Sequence, residues 1–358
     1  MPRAPSARAL APAAVLAGLA RWRALRCPLA APHRAFAAPP GARGRHHAAP
    51  PRLAAGAPGA LRAEPLTRRA AALWPLPFAP DGALSLLGGL AQFAAKAYGL
   101  LAVLLFVLQR KLLYIPSAEK ADPCSTGGEL VRFKGSAGEQ LAGVYFAPPA
   151  DEAPVLVFFH GNGDQLGWGP AYLGQRLRQE FGVGFFGVEY PGYGLAEGSP
   201  TEASIVASGE EMVRHFCKKF ALADGRIVLV GHSLGAAAAT ELARRGLGSR
   251  LILMSPFLSL NDMACTLYPF LTPLLRAAPF FLLDKWDNAG KLPSLECPIL
   301  VIHGTQDEIV PFEQGKALAA LSRRAAFCPA GGCGHNDLLD FGPALREACL
   351  FAQGGARR

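Results

Sequence analysis

Short apolar runs alternate with longer amphipathic stretches from about residue 112 onward. Five of these runs are too short and too apolar for amphipathic helices, and we predict that they are buried strands: residues 155–159, 183–188, 227–230, 251–254 and 299–302. Patterns typical of helices lie between or after them, at residues 171–179, 201–220, 235–245 and 314–322. Two further segments, 129–133 and 141–146, are predicted to pair as an opening antiparallel hairpin. The alternation predicts an α/β fold in which helices cover both faces of a mostly parallel sheet.

The longest apolar stretch, residues 83–108, precedes this region. Apart from one tyrosine, its polar side chains are few: Ser85, Gln92 and Lys96. A bilayer span requires about 20 mostly apolar residues, and flanking Lys and Arg side chains can extend a shorter run by reaching the interface. We therefore predict a single membrane anchor over residues 83–111, with a buried or surface-lying helix as the alternative.

Residues 1–80 form a basic leader that is rich in Ala, Arg, Pro and Gly. Residues 1–70 contain 12 Arg, no Lys and one acid, Glu64. This acid-poor composition is typical of an organellar transit peptide, although a disordered tail has the same features. The expected location is therefore a membrane, with an organelle as one interpretation of the leader.

Charge and cysteine content exclude several classes of function. The formal net charge is +9, but residues 1–70 alone contribute +11 and residues 112–358 carry 21 basic against 25 acidic residues. A nucleic-acid partner is therefore not expected. The eight cysteines form no Cys-x-x-Cys pair, so no metal site is predicted. Cys328 and Cys333 are open to two interpretations, a disulfide or free thiols.

A Gly-x-Ser-x-Gly motif stands at Gly231-His232-Ser233-Leu234-Gly235. The predicted strand 227–230 leads into it and a helical run follows it, which is the strand–turn–helix context of a nucleophile elbow. Ser233 is therefore the candidate nucleophile. The helix N-terminus behind it favours developing negative charge.

A serine nucleophile needs a base, and the base needs an orienting acid. Asp307 follows the predicted strand 299–302, and His335 lies in a later glycine-rich loop, so the chain order is Ser233, Asp307, His335. We predict that these three residues form a catalytic triad, with Glu308 as the alternative acid. The remaining histidines near strand ends are assigned structural roles: His160, His232 and His303.

The negative oxygen formed during acyl transfer needs two preorganised donors. The backbone N–H of Leu234 follows the nucleophile and is the first candidate. The loop after strand 155–159 supplies the second, for which we select the Asn162 N–H, with Gly163 as the competitor.

These features identify the chain as resembling an α/β-hydrolase-fold serine hydrolase over residues 112–352. The similarity is greatest to the membrane-anchored, depalmitoylase-like branch of the α/β-hydrolase-domain proteins, and it rests on motifs at residues 109–116, 160–162, 190–202, 255–257 and 304–311. Glu189, Pro191 and His232 depart from residues that are frequent in that branch. The resemblance implies an eight-stranded sheet. It also implies that the apolar insertion at residues 257–293 is a small cap, although a helix packed on the core would show the same pattern.

The leading hypothesis is a membrane-anchored serine hydrolase that needs no cofactor. Its expected substrate is a lipophilic carboxylic ester or thioester, and a palmitoyl thioester on a protein is one example that the resemblance suggests. Two alternatives remain open: a serine peptidase of the same fold, and a non-catalytic scaffold.

Overall fold

The computed structural model of the protein describes residues 80–117, 119–278 and 280–355, with side chains described from residue 84. The predicted leader, residues 1–80, thus lies outside the described residues except for its last position. The described strands are β1 (Glu129–Lys134), β2 (Gln140–Phe146), β3 (Val155–Phe159), β4 (Gly184–Val188), β5 (Ile227–His232), β6 (Arg250–Met254), β7 (Ile299–Gly304) and β8 (Ala325–Ala330).

All eight strands belong to one sheet, in the order β1-β2-β4-β3-β5-β6-β7-β8. The pairings of β1 with β2 and of β2 with β4 are antiparallel, and all the others are parallel. The predicted α/β-hydrolase fold with a mostly parallel eight-stranded sheet is confirmed. Each predicted strand is present, with ends that differ by two residues at most.

Nine α-helices occur in the described part of the chain. They are α1 (Pro80–Leu113), α2 (Gly169–Phe181), α3 (Glu202–Lys219), α4 (Leu234–Arg244), α5 (Leu260–Leu267), α6 (Thr272–Ala277), α7 (Asn288–Lys291), α8 (Phe312–Ala320) and α9 (Gly342–Ala352). The four helical patterns predicted between the strands correspond to α2, α3, α4 and α8. The helix α9 was not among the predictions.

The uniformly apolar strands are explained by a core on each face of the sheet. In β3, Val155, Val157 and Phe159 pack into one core. Leu156 and Phe158 alternate with them and pack into the other. Since both faces are covered, every residue of this strand is buried.

The apolar helix α1 is longer than the predicted anchor, and its side chains from Leu84 to Leu100 are exposed. Leu84–Leu113 has a mean hydropathy of 1.8 in its most apolar window. By length and composition, it is the single helix among the described residues that is able to cross a membrane.

The insertion between β6 and β7 contains three short helices, α5, α6 and α7. Trp286, which is fully buried, holds it on the main core. Leu267, Tyr268, Phe270, Phe280 and Leu283 are instead exposed. The insertion therefore presents apolar side chains to both the core and the surroundings.

Candidate active site

Ser233 lies at the turn between β5 and α4. Its φ of 54° and ψ of −114° place a non-glycine residue in a strained backbone conformation. Its amide N–H donates to the carbonyl oxygen of Met254 at the end of β6, at 2.9 Å. The turn is therefore held against the neighbouring strand at the carboxyl edge of the sheet, with the geometry that the motif predicts for a nucleophile elbow.

Two glycines of the elbow are required because the backbone passes too close for a side chain. A Cβ on Gly235 would lie 2.0 Å from the carbonyl oxygen of Phe159. A Cβ on Gly231 would lie 2.3 Å from the carbonyl oxygen of Gly235. The spacing of the motif thus reflects the close packing of α4 against β5 and β3.

Asp307 and His335 meet beyond the ends of β7 and β8. His335 Nδ1 lies 2.8 Å from Asp307 Oδ2. Asp307 Oδ1 accepts from the backbone N–H groups of Ile309 and Val310, at 2.9 and 2.8 Å. Burial opposes ionisation of Asp307, but hydrogen bonds from His303 and His335 prevail and hold its pKa well below the ordinary value. Asp307 is therefore a carboxylate that fixes the ring of His335.

Two neighbours of this pair were assigned lesser roles from the sequence. His303 Nε2 lies 3.2 Å from Asp307 Oδ2 and 3.0 Å from the carbonyl oxygen of Val310, so it donates toward Asp307. Glu308, the alternative acid, accepts at Oε2 from the backbone N–H of His335 at 3.2 Å. In this structure it is Asp307 that contacts the imidazole ring of His335, whereas Glu308 contacts its backbone.

The loop of His335 packs directly against the elbow. His232, which precedes Ser233, donates from Nε2 to the carbonyl oxygen of His335 at 3.1 Å. The two rings lie 4.9 Å apart between centroids. Burial lowers the pKa of His232 to about 3, so this ring is neutral at physiological pH. His232 therefore joins the elbow to the loop that carries the candidate base.

The predicted oxyanion loop also reaches the serine. A Cβ on Gly161 would lie 3.6 Å from the Cβ of Ser233, which places this loop beside the serine side chain. The N–H of Leu234 is at the first position of α4, where no intrahelical acceptor exists. Among the described residues, the N–H groups of Asn162 and Leu234 have no hydrogen-bond acceptor.

The side chain of Asn162 holds the chain that leaves α1, a role that the sequence did not reveal. Asn162 Oδ1 accepts from the N–H of Ile115 at 3.1 Å and from the hydroxyl of Tyr193 at 2.7 Å. Its Nδ2 donates to the carbonyl oxygen of Leu113. The end of the apolar helix is thus attached to the loop that borders Ser233.

Two buried side chains, those of His160 and Glu189, contact each other at the start of this loop. His160 Nε2 lies 3.0 Å from Glu189 Oε1, and its Nδ1 lies 2.9 Å from the carbonyl oxygen of Gly161. Burial alone would lower the pKa of His160, but the hydrogen bond with Glu189 raises it overall. Since both ring nitrogens face acceptors, the surroundings of His160 favour its protonated form beside the buried side chain of Glu189.

Residues 109–116 make a second set of contacts that the sequence did not predict, to the insertion between β6 and β7. Arg110 binds Asp284 through two hydrogen bonds, at 3.0 and 3.1 Å. Trp286 Nε1 donates to the hydroxyl of Tyr114 at 3.0 Å. The residue pairs are more than 170 positions apart, and no local pattern signals such contacts.

The described residues also show whether the chain has a metal site or a disulfide. No group of three or more His, Cys, Asp or Glu side chains within them is placed to hold a metal ion. No disulfide joins Cys328 to Cys333, so of the two interpretations the thiol form is found. The chemistry available at the elbow is that of a hydroxyl, an imidazole and a carboxylate.

Comparisons with known proteins identify the family to which this fold belongs. A model described as the alpha/beta hydrolase family matches residues 156–291, which contain the elbow. The Mycobacterium tuberculosis protein named Uncharacterized protein Rv2307c is 32% identical over 247 residues, 65% of this chain and 83% of that protein. Alpha/beta hydrolase domain-containing protein 17B of Homo sapiens is 28% identical over 220 residues, 60% of this chain and 72% of that protein.

A solved structure shows the same fold at low identity. The Pyrococcus furiosus esterase Pf2001 is 15% identical, with a TM-score of 0.54, and the similarity covers 67% of this chain and 97% of that one. The resemblance to α/β-hydrolase-domain proteins is thereby confirmed. On its fold, its elbow and these similarities, the chain belongs to the alpha/beta hydrolase family.

Proposed function

We propose that this hydrolase cleaves carboxylic esters or thioesters through a covalent acyl-enzyme on Ser233. In this proposal His335 is the base, Asp307 orients it, and the backbone N–H groups of Asn162 and Leu234 form the oxyanion hole. The observation that carries it is the 2.8 Å contact between His335 Nδ1 and Asp307, in a loop packed on the strained elbow. The imidazole ring of the proposed base is thus held in one orientation, in a loop that packs on the elbow.

The proposed reaction has two halves. Ser233 Oγ attacks the acyl carbon and its proton passes to His335 Nε2, while the two N–H groups stabilise the negative oxygen. His335 then protonates the alcohol or thiol as its bond to the acyl carbon breaks. Water repeats the sequence on the acyl-enzyme and releases a carboxylic acid. No cofactor takes part in these steps.

A lipophilic acyl group fits the surroundings of the site. The exposed apolar helix α1 is joined by Leu113 and Ile115 to the loop of Asn162, next to the elbow. The ring of Phe281 in the insertion lies 5.6 Å from that of Phe106 in this helix, and the adjacent Phe280 is exposed. We propose that residues 83–111 anchor the protein in a membrane and that residues 257–293 are a cap on the catalytic domain 112–352. A palmitoyl thioester on a protein is one substrate of this class.

Labelling of the full-length protein with a fluorophosphonate in mild detergent tests the activated serine. We expect labelling of the wild type and its loss in Ser233→Ala and His335→Ala. Ser199→Ala, which removes an exposed hydroxyl outside the site, is the matched control. Absence of labelling in the folded wild type would instead favour a non-catalytic scaffold.

A series of substrates then distinguishes the leaving group. We expect hydrolysis of p-nitrophenyl esters and acyl thioesters, with kcat/KM rising with acyl length. Preferential cleavage of peptide amides would instead identify a peptidase of the same fold.

A further inference from the structure

The insertion between β6 and β7 exposes a group of large apolar side chains. This group, the cap face, consists of Leu267, Tyr268, Phe270, Phe280 and Leu283. Phe280 is 78% exposed, and Phe270 and Leu283 are each 48% exposed. Exposed apolar side chains concentrated in one short insertion are typical of a surface that binds a protein or a membrane.

The cap face is continuous with the apolar helix α1. The rings of Phe106 and Phe281 lie 5.6 Å apart between centroids. The hydroxyl of Tyr98 donates to the carbonyl oxygen of Phe270 at 3.0 Å. Gln109 donates to the carbonyl oxygen of Phe281 at 3.2 Å and accepts from the N–H of Leu283 at 2.7 Å.

These contacts give a role to Tyr98 and Gln109, two polar residues in an otherwise mostly apolar helix. Tyr98 and Gln109 use their side chains to satisfy backbone groups of the insertion. In water such backbone groups would have solvent partners, whereas in hydrocarbon they must be satisfied by the protein itself. The pairing is therefore what a segment needs when it lies at membrane depth.

The length of α1 between Arg110 and Tyr98 determines how deep in a membrane the contacting part of the insertion would lie. Arg110 holds the buried carboxylate of Asp284 and marks the polar end of the contact. Tyr98 lies 12 residues earlier in the same helix, which is about 18 Å along its axis. The hydrocarbon core of a bilayer is about 30 Å thick. If α1 crosses the membrane from Arg110, it carries Phe270 about 18 Å inward with Tyr98.

We propose that the cap face and α1 form one membrane-embedded surface, so that the insertion enters the hydrocarbon beside the anchor. This inference deepens the proposed function, on which it rests, because it identifies the substrate class as an acyl chain that is still held in the bilayer. The insertion is also joined to the loop beside Ser233. Trp286 donates to the hydroxyl of Tyr114, and the N–H of the next residue, Ile115, donates to the side chain of Asn162 in that loop. In this proposal the acyl chain approaches the serine from the side of the cap face.

The charges of the region agree with this placement. Arg276 is the only charged residue in positions 268–283 of the sequence. Its long side chain can extend to the headgroups while its stem stays among apolar groups. Arg110 and Lys111 are in the last turn of α1 and lie at the level of the polar interface.

Photocrosslinking to lipid tests the location of the cap face. The full-length protein is reconstituted in phosphatidylcholine vesicles that contain radiolabelled lipid, with benzoylphenylalanine at position 280, 104 or 350. Leu104 of α1 is the positive control. Leu350 is the negative control because it is 49% exposed and its carbonyl oxygen accepts from the N–H of Gly355 at 2.9 Å. The adjacent Gly354 has its Cβ position 3.2 Å from the guanidinium of Arg250, which begins β6. This contact lies at the amino ends of the parallel strands, opposite the carboxyl ends that carry the elbow. We expect lipid adducts at positions 280 and 104 and none at 350.

The outcomes separate this inference from the proposed function. Adducts at 104 but not at 280 would overturn the membrane-embedded cap and leave the anchor and the serine chemistry untouched. In a second measurement, Phe280→Asp is expected to lower hydrolysis of a long-chain thioester in vesicles at least about tenfold. Hydrolysis of a water-soluble ester by the same variant should stay within about twofold, as should both activities of Leu350→Asp. If the wild type cleaves neither substrate while position 280 still crosslinks, the proposed function fails and the membrane surface stands.

Discussion

Replacement of Asp307 by asparagine removes one charge while it conserves the shape of the side chain. The carboxylate has four N–H partners, two at each oxygen. His335 and His303 approach Oδ2 at 2.8 and 3.2 Å. The backbone N–H groups of Ile309 and Val310 approach Oδ1 at 2.9 and 2.8 Å. Asparagine offers only one acceptor oxygen to these two pairs of donors, so one pair must face an NH₂ group.

The expected loss follows from the tautomer of His335. If the amide oxygen that Asp307→Asn introduces stays with the backbone donors, the new NH₂ group faces His335 Nδ1 and forces the ring proton onto Nε2. The nitrogen that must accept the serine proton is then already protonated. A wrong tautomer of this kind lowers kcat about 10³- to 10⁴-fold, equivalent to about 4 to 5.5 kcal/mol of transition-state stabilisation. Substrate binding does not use this carboxylate, so KM should change little.

The assay is kcat and KM for a water-soluble ester, with the rate of fluorophosphonate labelling as a second readout. Glu308→Gln is the matched control, because it removes a charge from the adjacent position. Its amide oxygen can still accept from the N–H of His335, which Glu308 contacts at 3.2 Å, so we expect activity within about threefold of the wild type. The reasoning is refuted if Asp307→Asn keeps more than about a tenth of the wild-type kcat, or if Glu308→Gln is the more damaging change.

Three further predictions concern stability. Since burial lowers the pKa of His232 to about 3, the unfolded chain binds more protons at this position below about pH 6.5. Lowering the pH from about 6.5 toward 3 therefore reduces the stability, by at most about 1.4 kcal/mol per pH unit. Melting temperatures at pH 8 and pH 5 should therefore differ less for His232→Gln than for the wild type, and equal differences would contradict this. Gly235→Ala places a methyl group 2.0 Å from a carbonyl oxygen and should abolish folded expression, whereas Gly225→Ala, with open space around it, should express normally. Arg110→Ala leaves the buried carboxylate of Asp284 without its charged partner. It should destabilise the protein by about 1 to 2 kcal/mol in detergent, because the Arg110 side chain is 44% exposed and water screens part of the attraction. The measurement is chemical denaturation, and a loss below about 0.5 kcal/mol would contradict a contribution of this pair to stability.

The strands were predictable from the sequence because both faces of the sheet are buried. Even β4, whose glycines weaken a strand pattern, is present as predicted. A Cβ on Gly187 would lie 2.8 Å from Leu166 Cδ2, so the glycine serves close packing. The helix α9 escaped prediction because its buried face is built largely from small residues, Ala344, Ala348 and Ala352 among them. Small side chains give a weak hydrophobic pattern even when they are fully packed.

The candidate site was predictable only where its residues belong to local motifs. Ser233 and Leu234 follow from the elbow, and Asp307 and His335 follow from their order after strands. The sequence did not show that His303 also contacts Asp307, nor that Asn162 uses its side chain. These contacts depend on which loops meet at the edge of the sheet, and that meeting is determined by the whole topology rather than by neighbouring residues.

Asn162 connects the candidate active site to the apolar helix. The preceding residue, Gly161, borders the serine, while the side chain of Asn162 holds the carbonyl oxygen of Leu113 and the N–H of Ile115 at the end of α1. Movement of that helix end therefore acts on the loop that would stabilise the developing oxyanion, since a rigid donor is worth more than a mobile one. The sequence predicts a boundary between the anchor, residues 83–111, and the catalytic domain, residues 112–352. Contacts cross this boundary, because Arg110 of the anchor binds Asp284 of the catalytic domain. The apolar helix is thus joined by direct contacts to a loop of the candidate active site.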